Sequence, residues 1–468
     1  MRASARALLG GLTALTLLGG GATAVVLQGS AGEPAEVAPT REPLPPPEPA
    51  PERTPLLEAA GTADDGPVPA RAAVQALVEQ ALADPVLGGR LAVSVVDVGS
   101  LEVLYERDAD AMLLPASTAK IVTAVTALTS LDDEARLTTR VVAGPTPGEV
   151  VVVGGGDPTL ASSAEAQRTP QDARLDVLAA QVLERLAGLP VRRVVVDDTL
   201  YSGPTTGPAW SPSYVSGGNV APVMALMVDG GRVRPDRRGR SADPALAAGQ
   251  RLAALLARGG VAPEVVRGKA PDGARELGAV ESAPVSTLVE RMLSTSDNDL
   301  AEALARQVAI AEGQPASFGG AAAALRTASG RVLEPLGVRA EAVRLADGSG
   351  LSRDNRLAPG ALTRLLTGVL GGDPGALSPV LTGLPVAGFD GTLADRYREG
   401  PQVAGAGVVR AKTGTLRGVS ALAGVVRTAD GRLLAFDLTA DAVQGGRVLA
   451  AEAVLDRLAA ALARCGCR

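Results

Sequence analysis

Ser117 and Lys120 stand three residues apart in the run Pro115-Ala116-Ser117-Thr118-Ala119-Lys120. A serine hydroxyl attacks a carbonyl carbon only when a base removes its proton. At helical spacing a residue three positions on lies beside the first, so the amine sits next to the hydroxyl. Lysine serves as that base when burial or a neighbouring positive charge lowers its pKa, which arginine cannot do. A helix start also offers unpaired N–H groups that stabilise an oxyanion. Taken alone the pattern is common, and an ordinary solvated helix turn carries it equally well. Its weight comes from scarcity: the chain has three lysines, Lys120, Lys269 and Lys412.

Two further groups have chemical character. Ser294-Thr295-Ser296-Asp297-Asn298-Asp299 reads as a polar loop between helical segments Val285 to Leu293 and Leu300 to Ile310. Short polar side chains there cap helices, and Asp299 or Asn298 is placed to cap the second. Asn298 is nevertheless one of only three asparagines. Lys412-Thr413-Gly414-Thr415 lies between β-like runs, Gly407 to Ala411 and Ser420 to Arg427. A glycine in such a strand lets a ligand backbone come close. The plainer reading is a hairpin strand of mixed polarity.

Composition removes the competing chemistries. The 468 residues include no histidine, which excludes a Ser-His-Asp triad, a Cys-His dyad and any His-ligated metal. The two cysteines, Cys465 and Cys467, close the sequence; they form a short-loop disulfide or a tail feature without chemistry. A net charge of -6 and 2% aromatic residues argue against nucleic acid as a partner. Any hydrolytic base must be Lys, Glu, Asp or Tyr.

These groups need a scaffold, and the chain supplies one in segments. Residues 1–28 have a basic start (Arg2, Arg6) and an apolar run from Ala7 to Leu27. They read as a secretory signal or an uncleaved membrane anchor. Residues 29–69 are rich in Pro, Glu and Ala and read as a disordered spacer. Folded sequence begins near Ala70: a helix over Ala73 to Leu82, a strand over Leu91 to Asp97, and a returning strand over Leu101 to Glu106. A long helical stretch runs from Ser117 to about Leu131. Strands alternating with helices imply an α/β or α+β core.

Ser-x-x-Lys, Ser-Asp-Asn and Lys-Thr-Gly in that order resemble the signature of penicillin-binding proteins and serine β-lactamases. The chain is more closely similar to the class C low-molecular-mass penicillin-binding proteins, the D-alanyl-D-alanine carboxypeptidase/endopeptidase family. That similarity takes in Gly154 to Leu160, Asp197-Asp198-Thr199, Ala221 to Gly230, Asp347 to Arg353 and Gly388 to Leu393. It implies an α+β fold, an antiparallel sheet flanked by helices, with a large mixed α/β insertion. The catalytic domain would comprise 70–139 and 276–464, and the insertion 140–275. It implies Ser117 as nucleophile, Lys120 as base, Ser296 and Lys412 as a proton relay, and Asn298, Thr413, Gly414 and Thr415 as substrate contacts. The charge of Lys412 would help keep Lys120 neutral. Peptidoglycan stem peptides and β-lactams are the implied partners, outside the cytoplasm, without metal or organic cofactor. A serine β-lactamase and a non-catalytic wall-binding scaffold are the alternatives.

Overall fold

The computed structural model describes residues 66–257, 263–371 and 377–465. The expected leader and nearly all of the expected spacer lie outside these residues, as does Cys467. Val68 and Pro69, read as spacer, already pack against the folded chain.

Helix α1 (Arg71–Leu82) turns its buried Val74 and Val78, four residues apart, to one side. The hairpin of β1 (Leu91–Asp97) and β2 (Val103–Arg107) follows. Its return strand starts later than the residue pattern suggests, because Leu101 takes a left-handed conformation (φ 58°) in a turn closed by Ser100 N–H donating to Asp97 Oδ2 at 2.7 Å. A 3-10 turn over Ala116–Thr118 leads into α2 (Ala119–Ser130). All ten residues from Ala119 to Leu128 are buried, so α2 is a helix without a solvent face.

The next stretch holds β3 (Thr138–Ala143), β4 (Glu149–Val153), α3 (Leu175–Leu186), β5 (Arg193–Asp197), the short α4 (Ser213–Ser216), α5 (Pro244–Leu256), β6 (Glu264–Arg267) and β7 (Glu276–Glu281). These strands form a five-stranded mixed sheet in the order β6-β5-β4-β3-β7, parallel across β4, β5 and β6. The first and last strands, β3 and β7, pair antiparallel, so the chain enters and leaves this sheet side by side. As a residue range the sheet extends beyond 140–275 at both ends. Helices α3 and α5 cover one face with an apolar core.

Helices α6 (Val285–Thr295), α7 (Asn298–Ala311) and α8 (Phe318–Leu333) come next, then the two-residue strands β8 (Val343–Arg344) and β9 (Arg356–Leu357), which frame a loop. After α9 (Pro359–Gly371) and α10 (Ser378–Thr382), β10 (Val409–Leu416), β11 (Val419–Arg427) and β12 (Leu433–Ala440) form a meander, and α11 (Val448–Ala463) ends the fold. The meander joins the first hairpin in an all-antiparallel sheet, β10-β11-β12-β1-β2. Strand periodicity divides its residues between two cores. Leu422, Val426, Leu434, Phe436 and Leu438 pack with α1 and α11, whereas Ala423, Val425 and Ala435 pack with α2 and α6 to α9.

Candidate active site

The residue just before Ser117 is held under strain. Ala116 has φ 49°, a left-handed backbone that costs an L-residue about 1–2 kcal/mol. The Thr118 hydroxyl pins the turn by donating to Pro115 O at 2.8 Å. A side chain at Gly350 would lie 1.9 Å from Ala116 O, and one at Gly414 would lie 2.7 Å from Pro115 O. Strand β10 and the β8–β9 loop therefore press on the turn from outside. The glycine of Lys-Thr-Gly admits the chain's own backbone at this point. Ser117 is left half-buried at the turn's apex.

Lys120, wholly buried, reaches back to this serine. Its Nζ lies 3.0 Å from Ser117 Oγ, 2.7 Å from Asn298 Oδ1 and 2.6 Å from Ser349 O. A neutral amine has two N–H bonds and one lone pair. The two carbonyls can only accept, so in that state they take both N–H bonds and the lone pair is left for the serine proton. Burial pushes Lys120 down to about 8, against the pull of Asp347, Glu302, Asp297 and Asp299. Lys412 is driven well below the ordinary lysine range, by burial first and then by the charges of Lys120 and Arg396. Burial, rather than a Lys412 charge, is thus what depresses Lys120. Lys412 Nζ donates to Thr413 O at 3.0 Å.

The Ser-Asp-Asn segment is a tight junction between α6 and α7. Ser296 ends α6 in a left-handed conformation (φ 56°), and its hydroxyl makes no hydrogen bond among the described residues. Asp297, rather than Asn298 or Asp299, caps α7 by accepting from Leu300 N at 3.1 Å. Asn298 is already the first helical residue. Its Nδ2 donates to Asn219 O at 2.9 Å, leaving Oδ1 to Lys120. Asp299 is turned inward, where it accepts from Ala221 N at 2.7 Å and pairs with Arg240 at 2.9 Å.

Along β10, Ala411 N–H points away from β11 to Pro385 O at 3.0 Å. Strand alternation then directs the N–H groups of Thr413 and Thr415 to that same outer edge. The Thr413 hydroxyl is 2.9 Å from that of Thr392, whereas the Thr415 hydroxyl donates to Glu452 Oε1 at 2.6 Å. The Thr415 hydroxyl is therefore turned to α11, while its N–H lies along the outer edge.

The motifs do not contain all that meets here. Asp347, buried in the β8–β9 loop, accepts from Trp210 Nε1 at 2.7 Å, Gly350 N at 2.9 Å, Ser352 N at 2.6 Å and Asn355 Nδ2 at 2.8 Å. This carboxylate shapes the loop that supplies Ser349 O. Asn298 and Asn355 belong to this network through their side chains and Asn219 through its main-chain carbonyl, so the rarity that singled out Asn298 held the signal for Asn355 as well.

The chain matches the family model described as D-Ala-D-Ala carboxypeptidase 3 (S13) over residues 74–239 and 236–462. It is 40% identical over 436 residues to a carboxypeptidase of Mycobacterium tuberculosis, covering 91% of each chain. It is also 40% identical over 467 residues to the carboxypeptidase DacB of Mycolicibacterium smegmatis, covering 95% of this chain and 94% of that one. Its fold is similar to the crystal structure of penicillin binding protein 4 from Haemophilus influenzae, with a TM-score of 0.65 at 22% identity over 82% of this chain and 97% of that one. With Ser117 facing buried Lys120 and both family-model matches spanning the fold, this chain belongs to the D-Ala-D-Ala carboxypeptidase 3 (S13) family.

Proposed function

We propose that this protein is a serine-type D-alanyl-D-alanine carboxypeptidase/endopeptidase that hydrolyses peptidoglycan peptides, acting outside the cytoplasm through a Ser117 acyl-enzyme. The observation that carries the reading is the three-fold environment of Lys120 Nζ, which suits a neutral amine aimed at Ser117 Oγ. Ser117 Oγ attacks the carbonyl carbon between two D-alanines while Lys120 takes its proton. The tetrahedral oxyanion rests on the N–H groups of Ser117 and Thr415. Losing one such donor costs roughly 100- to 1,000-fold in rate.

The C–N bond then breaks, and the departing amine receives a proton through Ser296 and Lys412. Having passed the serine proton on to that amine, Lys120 takes a proton from the water that cleaves the acyl-enzyme and returns it to Ser117 Oγ. Asn298, tied to Asn219 and Lys120, lies where the substrate's peptide chain passes. Thr413, with Thr392 beside it, receives the terminal carboxylate. Arrival of that anion makes the buried amine of Lys412 easier to protonate, which prepares it to donate. Gly414 contributes by letting β10 approach the nucleophile. The insertion, from about Thr138 to Glu281, supplies Asn219 O to the cleft wall.

β-Lactams present a strained amide at the same carbonyl position and trap Ser117. The test is the intact mass of the full chain after incubation with a penicillin, beside a Ser117→Ala variant. A stable penicilloyl adduct on the unsubstituted chain alone supports the reading, and digestion of muropeptides then identifies the bond cut. Penicillin destroyed without an adduct points to a β-lactamase. Intact penicillin with folded, unlabelled protein points to a non-catalytic wall-binding protein.

A further inference from the structure

Glu302 follows Asn298 by four residues on α7, one helical turn along the same face. It is wholly buried. Its Oε1 accepts from Ser349 N at 2.9 Å, and the carbonyl of that same Ser349 receives Lys120 Nζ at 2.6 Å. Behind it, Arg306 Nη1 stands 3.8 Å from Glu302 Oε2. The guanidinium is buried over the rings of Phe318, at 4.1 Å, and Tyr201, at 5.5 Å. Glu302 Oε2 and the three guanidinium nitrogens have no hydrogen-bond partner among the described residues. A loosely matched buried ion pair is destabilising, because its attraction does not offset the loss of solvation. Such a pair in contact with the residue that holds Lys120 calls for a functional account.

We infer that Glu302 is a positioning residue for Lys120: its carboxylate fixes Ser349 so that the carbonyl meets Nζ, and its negative charge sets the pH at which the amine becomes a base. The groups facing Lys120 are Asp347, Asp297 and Asp299 besides Glu302, with Lys412 approaching from β10. Asp347 is committed to four donors, Asp297 to a helix cap and Asp299 to Arg240. Glu302 faces Asp347 and Arg306, and its Oε2 has no hydrogen-bond partner among the described residues. Burial, with Asp347 adding, pushes Glu302 up to about 7. Neutralising Glu302 also leaves Arg306 unbalanced. Both changes make Lys120 harder to protonate.

The inference rests on Lys120 being the base for Ser117. The test is the rate of penicilloyl formation in the full chain from pH 6 to 10, for the unsubstituted protein, E302Q and E302D. The rate of the unsubstituted protein rises with pH as Lys120 loses its proton. In E302Q the midpoint of that rise falls by about one pH unit, while the plateau stays within about threefold. E302D keeps the charge but withdraws it from Ser349, so the midpoint stays and the plateau drops about tenfold or more. An E302Q profile superimposable on that of the unsubstituted protein overturns the inference, as does an undiminished E302D plateau. If E302Q fails to fold, by far-ultraviolet circular dichroism, the E302D plateau decides. An unsubstituted protein that forms no adduct rejects the Ser117–Lys120 reading itself, a separate failure.

Discussion

Replacing Asp347 with asparagine changes one oxygen to an NH2 group and almost nothing in volume. Each carboxylate oxygen now accepts from two donors: Gly350 N and Asn355 Nδ2 on one, Trp210 Nε1 and Ser352 N on the other. Whichever way the new amide turns, two fixed donors face its NH2. Asn355 cannot flip to relieve this, because its own Oδ1 accepts from Ala346 N at 2.7 Å. A buried donor left unpaired costs about 1–3 kcal/mol, so D347N should lose about 2–6 kcal/mol. That is a large share of the roughly 5–15 kcal/mol typical of a folded domain. Guanidinium unfolding followed by far-ultraviolet circular dichroism measures the loss as a lowered midpoint at unchanged slope. A stability within about 0.5 kcal/mol of the unsubstituted protein, the usual range of an inconsequential surface change, would falsify the claim that Asp347 organises this loop.

Gly350→Ala places a methyl carbon 1.9 Å from Ala116 O at a residue with φ 84°, so the serine turn must move. Penicillin acylation should slow by about 100-fold or more, and an unaltered rate would remove the β8–β9 loop from the site. Arg240→Ala leaves Asp299 buried without its cation and should cost about 3–5 kcal/mol in urea unfolding; a cost under about 1 kcal/mol rejects that pair as the tie between the insertion and α7. Arg331 and Ser130 hold the Glu312 carboxyl down to about 2 through hydrogen bonds. Its stabilisation is therefore full above the usual carboxylate range and disappears as pH falls through about 2. E312Q should be the less stable protein at pH 7 and indistinguishable near pH 2, and a gap independent of pH contradicts this.

The sequence reveals the site best where a residue type is scarce. Lysine and asparagine are rare enough that Lys120, Lys412 and Asn298 stand out before any fold is known, and strand β1 lies where its apolar run ends. The other half of the site is main chain. Ser349 O and Asn219 O are carbonyls, which every residue has, and only the tertiary path shows which ones converge on an amine or an amide. Glu302 was hidden differently: four residues after Asn298 it looks like one more polar position on an amphipathic helix, and only the packing of α7 beneath the β8–β9 loop buries it. The cap of α7 was misplaced by one or two residues because Ser296 adopts a left-handed conformation, which closes the junction sooner than a polar loop would. The partner of the Thr415 hydroxyl was hidden as well, since Glu452 lies on α11, distant in sequence.

Trp210 gives this molecule a property of another kind. It is the only tryptophan in 468 residues. Its indole N–H ends on Asp347 and its ring meets the Phe318 ring edge-on at 5.4 Å. All indole emission therefore comes from one position, a single hydrogen bond away from the loop that holds the Lys120 amine. Filling the cleft, loosening that loop or parting the insertion from α8 changes the polarity and quenching around this one ring. The enzyme thus has a built-in optical reporter of its active site, readable in real time without a label.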